Sequence, residues 1–137
     1  MKLILMIFIN LNVLSFKAQT SIKDVTWVLT KIEDKRENTT VTLHHDHSIL
    51  HFNDSTYSGY GCNAFSGKYK ISGNKLIFLG GMQVSDNLCT EPEDSKAEDY
   101  IMKDFTQMEF KQVGESLILS KGGNVFFTYH KKIEKDK

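Results

Sequence analysis

Proline occurs once in the 137 residues, at Pro92, and cysteine twice, at Cys62 and Cys89. With 40% apolar and 25% charged residues, this scarcity of proline excludes collagen-like and disordered chains and describes a folded globular protein. Net charge is lacking as well: Lys plus Arg and Asp plus Glu number 17 each. No basic run supplies the phosphate-neutralising footprint of a nucleic-acid binder. The one basic tail, His130-Lys131-Lys132, is offset by Glu134 and Asp136. Familiar catalytic patterns are missing too. There is no Gly-x-Ser-x-Gly elbow, no His-Glu-x-x-His, and no phosphate-binding or dinucleotide glycine pattern. Calcium would need a loop of the Asp-x-Asp-x-Asp-Gly type, which is also missing. No catalytic residue and no cofactor are expected.

What is present begins with Met1-Lys2 and an apolar stretch over residues 3–14, ending near Ala18. A dozen residues cover roughly 18 Å as a helix, short of a ~30 Å hydrocarbon core. The pattern predicts a secretory leader over residues 1–18 and a single domain over residues 19–137. No cysteine stands at the junction, so a lipoprotein anchor is not expected. Loss of Lys2 and Lys17 leaves the mature chain two charges negative, with no pull toward an anionic membrane. An exported monomer, periplasmic or extracellular, with no membrane span after cleavage, is the expectation.

The mature chain reads as strands. Residues 25–32 are β-branched and aromatic, and Val25, Trp27 and Leu29 share a face. Residues 41–43 and 49–52 are short strands on either side of a histidine-rich turn. Residues 57–60, 67–71 and 75–79 follow, the last two joined by the turn signal Ser72-Gly73-Asn74. After Pro92 the period changes: Ala97, Ile101, Phe105 and Met108 line one helix face. Ser95 and Glu98 have capping-box spacing, which predicts a helix over residues 95–107. Strands return over residues 109–113, 117–120 and 125–129. The fold class is mostly β (α+β): a curled antiparallel sheet or small open barrel of about eight short strands, with one amphipathic helix packed on it.

The chain resembles the META/HslJ domain family over residues 25–129. The matching residues are Trp27-x-Leu29, Leu50-x-Phe52, Gly59, Leu76, Gly114-Glu115-Ser116-Leu117-x-Leu119 and, most specifically, Gly61-Cys62-Asn63-x-Phe65-x-Gly67-x-Tyr69 followed by Cys89 and Glu98. The segment before the second cysteine, Ser85-Asp86-Asn87-Leu88, departs from the family's usual Thr, Met and small residue. The resemblance implies an exported β-rich domain tied by name to heat-shock and envelope stress, with no defined activity.

Five groups of residues invite a function. Cys62 and Cys89 read as one disulfide in an exported chain, against two buried thiols or a redox pair; their spacing is unlike Cys-x-x-Cys. Gly61, Asn63, Phe65, Gly67 and Tyr69 read as a structural motif at a bend, with Asn63 able to bond loop backbone beside the disulfide. His44, His45 and His47, around Asp46, have the ligand chemistry for a metal but equally suit a solvated turn. Glu91, Glu93, Asp94, Glu98 and Asp99 gather at the helix start, where the helix dipole favours acids. Tyr57, Tyr60, Phe65 and Tyr69 are candidates for an aromatic contact surface, although some of them must belong to the core. The expected role is non-enzymatic interaction with other envelope components, with an apolar or lipid ligand, or a metal held by the histidines, as alternatives.

Overall fold

The structure is a computed structural model and describes residues 21–134; the leader expected over residues 1–18 lies outside them. Most connections between apolar segments are tight turns, so neighbouring strands pair antiparallel. The strands are β1 (Thr26–Asp34), β2 (Thr39–Thr42), β3 (Ile49–Phe52), β4 (Thr56–Tyr60), β5 (Ala64–Ser72), β6 (Lys75–Val84), β7 (Gln107–Val113), β8 (Ser116–Lys121) and β9 (Val125–Lys131). One helix, α1 (Pro92–Asp104), joins β6 to β7. Pairing runs β1-β3-β4-β5-β6-β7-β8-β9 and returns from β9 to β1, closing eight of the nine strands into a barrel. β2 lies outside this ring and extends the edge of β1. The barrel is closed where an open one was admitted, because β9 reaches the first strand in register from Trp27↔Lys131 to Asp34↔Val125. Closure removes the unpaired edges that an open sheet exposes.

Alternation decides which residues face inward. In β1, Trp27 and Leu29 are buried, and then Ile32 and Asp34. The change of phase comes from a bulge between Leu29 and Lys31 in the pairing with β9. An inward carboxylate at the strand's end results. In β5 the spacing of two puts Phe65, Gly67 and Tyr69 on one face, with Phe65 and Tyr69 buried and Lys68 exposed. Tyr57 lies edge-on to Phe78 at 4.8 Å, Phe52 edge-on to Tyr69 at 5.0 Å, and Phe78 stacks on Phe105 at 4.5 Å. Tyr57, Phe65 and Tyr69 therefore belong to the core and not to a contact surface. Of the four aromatics expected there, only Tyr60 faces outward, 48% exposed.

Two glycines make this packing possible. A Cβ at Gly67 would stand 2.7–2.9 Å from the Tyr57 ring, and one at Gly59 would stand 2.0 Å from Phe65 and 2.7 Å from the Ile49 carbonyl. Both rings lie where a side chain would otherwise be.

The helix differs from its expected span at both ends. It begins at Pro92, whose fixed φ and missing N–H suit the first helical position. Ser95 is already inside it: its N–H donates to the Glu91 carbonyl, and no side-chain cap forms. The chain leaves the helix at Asp104 and enters β7 at Gln107. Phe105 and Met108 are buried all the same, because the inward face of β7 continues the apolar face of α1.

The histidine segment also departs from expectation. β2 and β3 are not hairpin partners; both pair with β1, one after the other along the same edge. The Leu43 N–H donates to the Thr30 carbonyl (3.0 Å) and the Leu29 N–H to the Ser48 carbonyl (2.8 Å). Residues 44–47 between these bonds must leave the sheet.

Candidate functional site

The excursion of residues 44–47 ends against the first turn of α1. The ring nitrogens Nε2 of His45 and His47 donate to the two oxygens of Asp94, at 2.6 and 3.1 Å. With one residue between them, the two rings fall on one side of the chain and stack, centroids 3.3 Å apart and 11° from parallel. Asp94 is buried and sits within the first turn of the helix, where the dipole favours its charge. The His45 Nδ1 is buried without a hydrogen-bond partner. His44 and Asp46 are exposed and stand outside this group.

One helical turn on, Glu98 meets the loop after β4. Its carboxylate accepts from the Asn63 N–H (3.2 Å) and from Asn63 Nδ2 (2.8 Å). The Asn63 amide oxygen accepts from the Asn87 N–H (2.6 Å) and the Ser85 hydroxyl (3.0 Å), while its Nδ2 also donates to the Asn87 carbonyl (3.3 Å). Asn63 is buried, and each of its polar atoms is used. Cys62 and Cys89 stand beside it at disulfide distance, Cα to Cα 5.4 Å. Together they fasten the segment before α1 to the barrel. Glu98, expected in a capping box, instead bridges helix and loop.

The same helix face, Asp94, Ala97, Glu98 and Ile101, borders a cavity of about 20 Å³, bounded below by Leu29 and Tyr129. That is room for about one water molecule. The Tyr129 hydroxyl has no hydrogen-bond partner, and complete burial pushes its phenol well above the usual range.

On the far side of α1, Tyr100 donates to Asp34 (3.1 Å), and Arg36 grips the same carboxylate through Nε (3.1 Å) and a terminal nitrogen (3.3 Å). The Arg36 bonds, foremost, hold the Asp34 carboxyl at about 2, below its ordinary 3.8.

Two groups of three converging side chains stand out among the described residues: His45, His47 and Asp94, and Cys62, Cys89 and Glu98. The cysteines of the second are committed to each other. The first has the composition of a nitrogen–oxygen metal site. Asp94 could be read from sequence only as one acid in a run, since its partners lie 47 and 49 residues away.

A family model described as the META domain matches residues 20–132. Among solved structures, the chain is similar to a protein from Burkholderia xenovorans determined by NMR, with TM-score 0.66 and 19% identity, covering 82% of this chain and 85% of that one. It is also similar to an uncharacterised protein from Bacteroides eggerthii, with TM-score 0.56 and 11% identity, covering 82% and 100%. A DUF4847 family protein from Bacteroides vulgatus gives TM-score 0.55 and 9% identity, covering 83% and 96%. At these identities the likeness is one of fold. No curated protein sequence matches the chain.

Proposed function

The chain belongs to the META domain family, and from that premise we propose that it is an exported, non-catalytic domain that acts by binding other components of the cell envelope, in the stress setting with which the family is associated. The observation that carries this reading is the pairing of Cys62 with Cys89 at a Cα distance of 5.4 Å. A disulfide there persists in an oxidising compartment and is rare in a reducing cytosol. The leader-like start of the sequence points the same way. Among the described residues no helix is long and apolar enough to cross a membrane.

Binding at the surface is favoured over an apolar ligand held inside. The space under α1 is about 20 Å³, far below the ~300 Å³ or more that a small-molecule site needs. Tyr60 lies beside this end of the barrel, and Leu88, 92% exposed, stands one residue before Cys89. Both offer apolar area next to hydrogen-bonding groups, a composition that suits a protein partner.

The intact mass of the protein from its native envelope, without reductant, tests the reading. A mass beginning at Gln19 and two hydrogens short is expected; a full-length mass with both thiols free overturns export. For the binding role, crosslinking in that envelope should give a discrete adduct that the pair Tyr60→Ser and Leu88→Ser weakens. No adduct with the wild-type chain, or one indifferent to both changes, overturns it.

A further inference from the structure

We propose that His45, His47 and Asp94 form a binding site for a divalent late transition metal ion, of which zinc is the reference case. Such a site goes beyond the envelope role and is independent of it, because it is defined by side chains and not by compartment.

Ligand chemistry selects the class of ion. Two imidazole nitrogens and one carboxylate suit zinc, nickel or copper, whereas calcium and magnesium call for oxygen ligands. The donor atoms are already gathered: one from each residue lies within 4.8 Å of the others, and the two nitrogens stand 2.6 and 3.1 Å from the Asp94 oxygens. Ligands at roughly 2.0–2.2 Å in a tetrahedral site lie about 3.3 Å from one another. Admitting an ion therefore requires the groups to part by about 0.7 Å at the 2.6 Å contact and by about 0.2 Å at the 3.1 Å one. The ion would replace two N–H donors on a carboxylate that is buried and carries no lysine or arginine partner among the described residues.

The scaffold fixes these ligands from two sides. Residues 44–47 are bracketed by backbone bonds, the Leu43 N–H donating to the Thr30 carbonyl and the Leu29 N–H to the Ser48 carbonyl. The rings stack, and both Nε2 atoms reach the Asp94 carboxylate, one at each oxygen. Asp94 is held by α1, which the Asn63–Glu98 bonds lock to the barrel one turn further on. The His45 Nδ1 has no partner to fix its tautomer and raise its basicity, as buried structural sites provide. The His47 side chain is 47% exposed. The ion would sit at the rim, exchangeable, with a coordination position open to water or to an outside ligand.

Isothermal titration of the untagged full-length chain, stripped with a chelator, with zinc chloride tests the site. One ion per chain is expected. His45→Ala, His47→Ala and Asp94→Asn should each weaken binding at least about tenfold, no less than the loss of an outer-shell partner costs. His44→Ala should leave it unchanged. The absence of saturable one-to-one binding overturns the site, as does an effect of His44→Ala equal to that of His45→Ala. Because Asp94→Asn could disturb the helix start, the histidine nitrogen resonances of the wild-type chain supply a second reading. Zinc should shift Nε2 of His45 and His47 and not those of His44; shifts of all three alike indicate a solvated cluster and overturn the proposal. Loss of zinc binding with the discrete envelope adduct intact removes only the metal, and the converse removes only the envelope role.

Discussion

Single residues decide where this barrel tolerates change. Gly59→Ala forces a methyl into the Phe65 ring and the Ile49 carbonyl, and Gly67→Ala forces one into Tyr57. Both rings are buried, so overpacking should cost about 1–3 kcal/mol at each site, more at Gly59, where backbone also stands in the way. Gly81→Ala meets nothing within 4 Å and should be neutral or slightly stabilising. Urea unfolding of the three variants checks the order. Asp34 makes a prediction in pH. Its carboxyl is held at about 2 against 3.8 unfolded, chiefly by Arg36. A depressed acid contributes stability above its unfolded value, and that contribution fades as pH falls from near 3.8 through about 2. Arg36→Ala should move the Asp34 carboxyl upward, visible in its carbon chemical shift, and should shift acid unfolding to higher pH. Residues 67–71 were legible as a strand; that it begins at Ala64 and turns Phe65 and Tyr69 inward was not, because alternation names two faces without saying which is inside.

At the scale of elements, the hairpin at Ser72-Gly73-Asn74 and the strand Ile49–Phe52 lie where local chemistry places them. Gly73 takes a positive φ of 61°, which is why a turn residue must stand there. The helix was legible from its period but not at its ends. The inward positions of β7 continue its apolar face without a break, and Pro92 outranks Ser95 as a start. The split partner of β1 had no local signal at all: an excursion flanked by two strands looks like a hairpin until the strand they both pair with is known. The contact of His45 and His47 with Asp94 was hidden for the same reason. The segment before α1 makes its own prediction. It is tied to the barrel by Cys62–Cys89 across a separation of 27 and by the Asn63 bonds. Cys62→Ser with Cys89→Ser should cost ~3.5 kcal/mol on the chain-entropy account while leaving the far-ultraviolet spectrum of the strands unchanged. Equal stability of the two proteins in denaturant would mean that the thiols are not joined.

For the whole molecule, closure rests on the pairing of the first strand with the last. Thr30 bonds to Thr128 across 98 residues, so the barrel cannot be completed until nearly all of the chain is present. Such non-local pairing predicts slow folding, in milliseconds to seconds. A chain ending at residue 124 lacks β9, the neighbour of both β1 and β8. It should lose the near-ultraviolet signal of Trp27, which is wholly buried in the intact barrel. A truncated chain that keeps that signal would show the seam to be dispensable.

The seam also brings the two ends of the barrel's chain path side by side, with the Lys132 N–H bonded to the Thr26 carbonyl at 2.8 Å. Sequence order is then a convention the barrel does not depend on. A short linker could join the ends, and new termini could be opened at Gly73-Asn74, in the turn between β5 and β6, where a side chain on Gly73 would meet nothing within 4 Å. Such a circular permutant would hold the same ring of strands and move the point of attachment to any fused partner from the seam to the β5–β6 turn.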